Sequence, residues 1–302
     1  MDPIKVFTLA IMQGATELFP VSSLGHTVII SGILGWNETL QSPTFLPLLV
    51  MLHLGTSAAL LTFFWRDWLQ LLRGGARTVI AGRFTPDVDP DGAGRQLALI
   101  VVGTIPAGIV GLLFQKTLEK GFSEPLIASA FLVANGAVLL FGEQLWRRQR
   151  TRKDMLQKDG QQFGEIGRSI NDMTFKQAVF IGAAQILALI PGFSRSGVTM
   201  VAGMANGLSH EASARFSFLL ATPIILAAGV LEVPKLLKAQ YLQELPIAIA
   251  GGVVAGISAY LSVRFLMRYF ETNRLDPFAY YCVIAGTLAF AFFALQSFGM
   301  IP

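Results

Sequence analysis

Residues 18–26 read Leu-Phe-Pro-Val-Ser-Ser-Leu-Gly-His, and residues 189–197 read Leu-Ile-Pro-Gly-Phe-Ser-Arg-Ser-Gly. Each of these sequences interrupts a long apolar stretch, residues 6–37 in the first case and residues 177–210 in the second. Histidine aside, the first stretch contains a single charged residue, Glu17, and the second contains a single charged residue, Arg195. An ionised group in an apolar medium is costly and is rarely present without a function. We therefore expect these two stretches to hold the functional residues.

The composition is typical of an integral α-helical membrane protein. The chain of 302 residues is 53% hydrophobic and 14% charged, with a mean hydropathy of +0.58, whereas soluble domains carry about 25% charged residues. The apolar residues are not in strict alternation, which argues against an outer-membrane barrel. Six further apolar runs can each span or nearly span a hydrocarbon core of ~30 Å. They lie at residues 46–65, 97–114, 126–141, 216–231, 247–263 and 278–298.

The net charge of +4 is explained by the loops, so we expect no nucleic-acid partner. If the six spans are threaded in order, most of the Lys and Arg residues fall on one side of the membrane, which marks that side as cytoplasmic. The opposite side collects Lys5, Lys116, Lys120, Lys235 and Lys238. The single cysteine, Cys282, excludes an intrachain disulfide.

Pro20 and Pro191 divide the two charged stretches into pieces shorter than the about 17 to 25 residues of a span. Gln13 and Gln185 occupy corresponding places before the two breaks. Short, proline-interrupted segments in corresponding places predict re-entrant helix–loop–helix hairpins in an inverted repeat, with both tips lining a cavity inside the bilayer. We expect one membrane domain, residues 1–302, with repeat units at 1–146 and 174–302 and a charged connector at 147–173.

Gln13 and Glu17 are four residues apart and therefore share one face of a helix. Glu17 is a candidate ligand for a divalent cation, with the Gln13 amide oxygen beside it, because hard cations prefer oxygen ligands. The alternative is a carboxylate at the membrane interface that is satisfied by backbone donors.

Ser22, Ser23, Gly25 and His26 follow Pro20 at a predicted helix start, where free N–H groups and the helix dipole form an anion site. Ser23 and His26 are three residues apart and can share a helix face. A serine beside a histidine is the minimal form of an activated nucleophile. The alternative is helix capping by serine and a space-filling histidine.

Ser194, Arg195, Ser196 and Gly197 repeat this arrangement with a cation in place of the acid. The planar arginine fork suits phosphate oxygens, and the flanking serines add donors. The alternative is an internal ion pair between Arg195 and Glu17, without a ligand.

Together these residues predict a phosphate-binding site, and phosphoryl transfer needs little beyond positioning and charge neutralisation. Because the site lies among apolar helices, a lipid-borne phosphate is the expected substrate. Three other polar residues in apolar runs receive structural assignments. His53 is expected to pack in the core, and Asn135 and Asn206 are expected to hydrogen-bond across helices.

Residues 13–26 and 191–197 resemble the two signature motifs of undecaprenyl-diphosphate phosphatases of the bacitracin-resistance type. Chain length, span pattern and repeat agree with that family over nearly the whole sequence. The resemblance implies a multi-pass enzyme of the bacterial inner membrane, a phosphoanhydride hydrolase that converts undecaprenyl diphosphate to undecaprenyl phosphate and phosphate. It also implies recycling of the lipid carrier for cell-wall synthesis, bacitracin resistance, a requirement for Mg²⁺ or Ca²⁺, and a catalytic pocket open to the periplasm.

The first family motif is Glu/Gln-x-x-x-Glu, in which Gln13 takes the neutral option and leaves Glu17 as the one carboxylate. From the resemblance we expect Glu17 to hold the cation against the diphosphate, Arg195 to bind phosphate oxygens, and His26 to activate Ser23 or a water molecule. The expected catalytic residues are Glu17, Ser23, His26 and Arg195; the substrate-binding residues are Gln13, Ser22, Gly25, Ser194, Ser196 and Gly197; and the metal ligands are Glu17 and Gln13.

A transporter is the main alternative, because inverted repeats with broken helices are typical of transporters. A lipid-phosphate flippase, with or without phosphatase activity, could use the same arginine. A third possibility is a non-catalytic membrane scaffold. In that case Glu17 and Arg195 could be replaced by alanine without loss of function. Small residues such as Gly251, Gly252 and Gly256 permit close helix packing, within the chain or in a homodimer.

Overall fold

A computed structural model of the chain describes residues 2–36, 42–121, 124–158 and 167–300. Within these ranges the protein is helical. Its α-helices are α1 (Pro3–Thr16), α2 (Ser23–Ile33), α3 (Phe45–Phe63), α4 (Trp65–Ala81), α5 (Ala93–Gly121), α6 (Pro125–Lys158), α7 (Phe175–Ala184), α8 (Arg195–Ala205), α9 (His210–Leu236), α10 (Leu245–Phe270) and α11 (Asp276–Ser297). Short 3₁₀ helices cover Ile170–Asp172, Gln185–Leu189 and Ala239–Glu244.

Six helices are long and apolar enough to cross a membrane, and each coincides with one of the six apolar runs in the sequence. They are α3, α5, α6, α9, α10 and α11. The prediction of an all-α membrane protein with six spans is therefore confirmed. Helix α6 continues through its basic residues to Lys158, so the first part of the connector expected at 147–173 is helical. Residues 159–166 of that connector lie outside the described residues.

Helix α4 directly follows the first span, in a segment that is too polar to be one of the six apolar runs. Its buried positions recur at helical spacing, and they pack against the start of α5; they are Leu71, Gly74, Gly75 and Thr78. A Cβ atom on Gly74 would lie 2.5 Å from the backbone nitrogen of Gly94, so the two helices are in close contact there. The charged side chains occupy the opposite face, which makes the segment polar on average although it is helical.

Neither signature segment forms a spanning helix. Helices α1 and α2 have 14 and 11 residues, about 21 and 17 Å at ~1.5 Å per residue. In the second segment, α7 has 10 residues and α8 has 11, with the 3₁₀ helix Gln185–Leu189 between them. Helix α1 packs against α10 and helix α7 packs against α5, as expected for two related halves that exchange equivalent contacts. The re-entrant course of the two hairpins and their inverted repeat stay predictions.

The small residues of α10 are used for packing within the chain. A Cβ atom on Gly256 would lie 2.9 Å from the carbonyl oxygen of Gly55 in α3. A Cβ atom on Gly252 would lie 3.0 Å from the carbonyl oxygen of Met51, and Gly251 faces α1. These contacts hold α10 against the first span and against α1, which carries Glu17 at its end. A homodimer stays a prediction.

Candidate active site

The first break, between α1 and α2, has an unusual backbone conformation at Ser22. Ser22 has a φ angle of 68°, in the left-handed region that non-glycine residues rarely adopt. Its hydroxyl oxygen accepts a hydrogen bond from the backbone N–H of Gly25 at 3.1 Å, so Ser22 caps α2. Such backbone strain of about 1–3 kcal/mol is typical of functional sites. The turn makes Ser23 the first residue of α2.

The second break, before α8, depends on Gly192. Gly192 has a φ angle of 106°, and a Cβ atom there would lie 2.4 Å from a backbone carbonyl oxygen of α6, so this position requires glycine. The Ser194 hydroxyl oxygen then accepts from the backbone N–H of Gly197 at 3.1 Å, the same distance as in the cap of α2. Arg195 is thus the first residue of α8, as Ser23 is of α2.

The tips of the two breaks are in direct contact. The Ser196 hydroxyl donates to the carbonyl oxygen of Phe19 at 3.0 Å, and the Ser194 hydroxyl donates to the same oxygen at 3.3 Å. A Cβ atom on Gly25 would lie only 2.9 Å from the Cα atom of Gly192. Two segments that are far apart in sequence therefore form one structural unit.

Asn135 of α6 joins the two breaks a second time. Its Nδ2 atom donates to the carbonyl oxygen of Pro20 at 3.0 Å, and its Oδ1 atom accepts from the backbone N–H of Ser194 at 3.0 Å. The side chain is fully buried. The predicted bonding of Asn135 across helices is confirmed, and its two partners belong to the two predicted half-sites. The same prediction for Asn206 is wrong, because its side chain donates to the carbonyl oxygen of Ala202, one turn back at the end of α8.

Glu17 is the centre of the polar contacts at this junction. Its Oε1 atom accepts from Arg195 Nη2 at 2.9 Å, and its Oε2 atom accepts from Ser23 Oγ at 2.6 Å and from Gln13 Nε2 at 2.8 Å. The carboxylate is 7% exposed. The internal ion pair considered as an alternative is therefore present, and it joins the two segments that carry the signature motifs. A buried carboxylate with these three partners avoids the large penalty of an unpaired charge.

This ion pair lines a cavity of about 620 Å³. Its polar lining includes Glu17, Ser23, Arg195 and, from α9, Glu232. Most of the remaining lining is apolar and comes from α3, α5, α9 and the 3₁₀ helix before the second break. Apolar walls with a few polar groups are the usual features of a ligand site. This lining suits a molecule that carries both an anionic group and a hydrocarbon chain.

The other predicted binding residues divide into two groups. Ser22 and Ser194 line the cavity, as does Gln185, the counterpart of Gln13 in the second half. The second group, Gly25, Ser196 and Gly197, is buried where the two tips meet. Direct contact of the first group with a ligand stays a prediction, whereas the second group is placed to hold the tips together.

The expected contact between Ser23 and His26 is wrong. His26 Nδ1 lies 2.7 Å from the carbonyl oxygen of Ser22, and Nε2 lies 2.7 Å from the hydroxyl of Tyr281 in α11. The Ser23 hydroxyl donates to Glu17 instead. A spacing of three residues places two side chains on one helix face, but at the first turn of α2 the partner of Ser23 is set by the returning end of α1. His26 therefore links α2 to α11.

His53 is the residue that sequence reasoning missed. It was expected to pack in the core, yet it lines the cavity, with Nε2 at 3.3 Å from Glu17 Oε2. Its Nδ1 atom lies 2.7 Å from the carbonyl oxygen of Leu49. A lone histidine within a span is a signal of function, but the residue that His53 faces depends on how α3 packs against α1.

The donor set at Glu17 fits a hard cation that is shared with a phosphate-bearing ligand. Among the described residues, no three His, Cys, Asp or Glu side chains converge to hold a metal by themselves. Glu17 is contacted by the hydroxyl oxygen of Ser23 and by the amide nitrogen of Gln13, and the amide oxygen of Gln13 is buried without a hydrogen-bond partner in the described structure. Mg²⁺ is commonly bound through one or two carboxylates together with water and substrate phosphates. One carboxylate and an unpartnered amide oxygen match that pattern.

Comparisons with known proteins agree over nearly the whole chain. The model of a family described as bacitracin resistance protein BacA matches residues 6–288. Undecaprenyl-diphosphatase 2 of Burkholderia lata is 48% identical over 289 residues, which cover 95% of this chain and 96% of that protein. Undecaprenyl-diphosphatase of Granulibacter bethesdensis is 49% identical over 295 residues, covering 96% and 97%. Undecaprenyl-diphosphatase of Acidiphilium cryptum is 47% identical over 296 residues, also covering 96% and 97%.

Proposed function

The chain belongs to the bacitracin resistance protein BacA family, and we propose that it hydrolyses undecaprenyl diphosphate to undecaprenyl phosphate and inorganic phosphate. The observation that carries the proposal is the contact of 2.9 Å between Glu17 and Arg195, both of which line a largely apolar cavity. The arginine suits the diphosphate, and the apolar walls suit the prenyl chain. This reaction returns the lipid carrier to cell-wall synthesis, and bacitracin resistance follows from the same activity.

The protein is a multi-pass membrane protein, and its proposed location is the bacterial inner membrane, with the site open to the periplasm. The concentration of Lys and Arg residues on one side of the threaded spans supports this orientation. On the proposed orientation, substrate reaches the cavity from the leaflet opposite the basic loops.

Ser23 is the proposed nucleophile, and Glu17 is the proposed base. The Ser23 hydroxyl lies 2.6 Å from Glu17 Oε2, within the range of about 2.6–3.2 Å for proton transfer. Ser23 Oγ attacks the terminal phosphorus, its proton passes to Glu17, and the bond from that phosphorus to the bridging oxygen breaks. Undecaprenyl phosphate leaves with the bridging oxygen. Water then attacks the phosphoserine and releases one proton to the solvent, the bond from phosphorus to Ser23 Oγ breaks, Ser23 Oγ regains its proton from Glu17, and inorganic phosphate leaves.

Arg195 and the two helix starts stabilise the charge on the transferring group. Arg195 is the first residue of α8, and its guanidinium contacts the same carboxylate group as the nucleophile, on the other oxygen atom. Backbone N–H groups at the starts of α2 and α8 add donors for phosphate oxygens. Glu17 and Gln13 would hold Mg²⁺ or Ca²⁺, and the cation would supply further neutralisation of charge on the diphosphate.

Phosphate release by the purified protein in detergent tests this function. Undecaprenyl diphosphate is incubated with wild-type protein and with Glu17→Ala, each with and without a chelator. We expect phosphate release from the wild type alone and only in the absence of the chelator. A flippase without hydrolase activity releases no phosphate in any sample, and that result would contradict the proposal. Equal release by Glu17→Ala would remove Glu17 from the mechanism.

A further inference from the structure

The geometry points to His53 as a nitrogen ligand of the divalent cation at Glu17, a role outside the signature motifs. The inference rests on the proposed function, which calls for a cation beside the diphosphate. Three observations carry it: the orientation of the imidazole ring, the distance between His53 and Glu17, and the unpartnered oxygen of Gln13.

The first observation fixes which ring nitrogen of His53 carries a hydrogen. A carbonyl oxygen can only accept a hydrogen bond, so Nδ1, at 2.7 Å from the Leu49 carbonyl oxygen, must be the donor. In a neutral ring, Nε2 then presents a lone pair to Glu17 Oε2. Two electron-pair donors facing each other repel unless a positive charge lies between them. A proton shared by the two atoms, or a metal cation bound by both, supplies that charge, so the orientation of the ring permits a metal at this position.

The second observation is the separation of these two atoms. His53 Nε2 and Glu17 Oε2 are 3.3 Å apart. At right angles around one ion, ligands at about 2.0–2.1 Å from Mg²⁺ are about 2.8–3.0 Å apart, and ligands at about 2.3–2.6 Å from Ca²⁺ are about 3.3–3.7 Å apart. The observed separation matches the Ca²⁺ spacing and exceeds the Mg²⁺ spacing by about 0.3–0.5 Å, so both atoms can bind one cation with little movement.

The third observation is the orientation of the Gln13 amide. Its nitrogen donates to Glu17 Oε2 at 2.8 Å, whereas its oxygen is buried without a partner. A half-turn of the amide exchanges the two atoms and presents the oxygen beside the carboxylate. The Gln13 amide can therefore serve as a donor to Glu17 in the absence of a cation and as an oxygen ligand in its presence.

The other two histidines of the chain have different partners. Both ring nitrogens of His26 are engaged by Ser22 and Tyr281, and His210 Nε2 lies 2.8 Å from Glu143 Oε2. The sequence contains three histidines. A histidine nitrogen that is bound to a cation in this cavity can therefore be assigned to His53.

Mn²⁺ is a suitable probe, because its electron spin reports directly bound nitrogen in pulsed EPR spectra. The full-length protein is purified without a histidine tag and loaded with Mn²⁺ alone. We expect a ¹⁴N coupling in the wild type that becomes a ¹⁵N coupling after selective labelling of histidine. The coupling should disappear in His53→Gln and persist in His26→Gln. Outer-shell partners alone are worth about 10- to 100-fold in metal affinity, so His53→Gln should weaken Mn²⁺ binding at least about tenfold.

Three results would overturn the inference: Mn²⁺ bound without nitrogen coupling, a coupling that survives in His53→Gln, or no Mn²⁺ binding by folded wild-type protein. The labelled wild type decides whether histidine is a ligand even if His53→Gln does not fold. Phosphate release, measured on the same preparation, tests the function separately. Release without a nitrogen coupling rejects only the ligand, whereas no release from the wild type rejects the function.

Discussion

Replacement of Asn135 tests whether the two breaks must be held together for the site to work. The Asn135 side chain donates to the carbonyl oxygen of Pro20 and accepts from the backbone N–H of Ser194, both at 3.0 Å, and it is fully buried. Asn135→Ala removes both bonds. It leaves the N–H of Ser194 unpaired and leaves the carbonyl oxygen of Pro20 with only the Cys282 thiol, whose Sγ atom lies 3.8 Å away. At about 1–3 kcal/mol for an unsatisfied group, we expect a loss of at least about 1–3 kcal/mol in the free energy of unfolding.

Asn135→Asp separates the two contacts of this side chain. It keeps an acceptor for the N–H of Ser194 but places a second oxygen about 3 Å from the carbonyl oxygen of Pro20. Because this oxygen faces another acceptor, the first tip should shift while the second keeps its contact. Misplacement of reacting groups by ~1 Å can lower rates by about 10²-fold. We expect a decrease of that order in kcat/KM for both variants.

The assay combines thermal unfolding in detergent with phosphate release well below the unfolding temperature. Asn206→Ala is the matched control, because Asn206 Nδ2 bonds to the carbonyl oxygen of Ala202 within α8. It removes one local bond, so Tm should fall by a smaller amount and kcat/KM should stay close to that of the wild type. Unchanged Tm and kcat/KM in Asn135→Ala would refute the reasoning.

Three further variants test the roles of individual side chains. Ser23→Ala should lower kcat by at least about 10³-fold, because activation of a nucleophile alone contributes about 10²–10⁴-fold. It should also abolish the phosphoenzyme seen after rapid quench. A variant that keeps most of its turnover would exclude Ser23 as the nucleophile. Arg195→Lys should lower kcat/KM by about 10²–10³-fold, because a point charge does not replace the planar fork; near-normal activity would contradict the assigned role. His26→Gln should still form the phosphoenzyme, because His26 contacts Tyr281 rather than Ser23; its loss would restore His26 as the base. In each case steady-state phosphate release and the trapped phosphoenzyme are the measurements.

The spanning helices could be predicted from the sequence because each is a long apolar run with few charges. Helix α4 could not be predicted from its average composition, because it is amphipathic and its buried positions are few. Two of these positions are glycines, Gly74 and Gly75. Its helical course is decided by close packing against α5, a tertiary contact. Composition therefore predicts the long apolar spans, but it does not predict a helix such as α4 whose course depends on a tertiary contact.

The candidate site could be located from the sequence but its contacts could not. Lone charges near proline breaks singled out Glu17 and Arg195, and the structure places them 2.9 Å apart. The partner of Ser23 depends on where α1 ends relative to α2, and the position of His53 depends on the packing of α3. The spacing of residues along one helix shows neither where α1 ends relative to α2 nor how α3 packs. For this reason Ser23 was paired with the wrong residue and His53 was overlooked.

A double-mutant cycle between Glu17 and Arg195 tests most directly whether the two breaks form one site for the diphosphate. The conservative variants Glu17→Gln and Arg195→Lys and their combination are compared by kcat/KM for phosphate release. Because the two side chains are in contact, we predict a coupling within the range of about 0.5–3 kcal/mol that is seen for interacting residues. Effects that add to within about 0.3–0.5 kcal/mol, as for independent distant positions, would contradict the account.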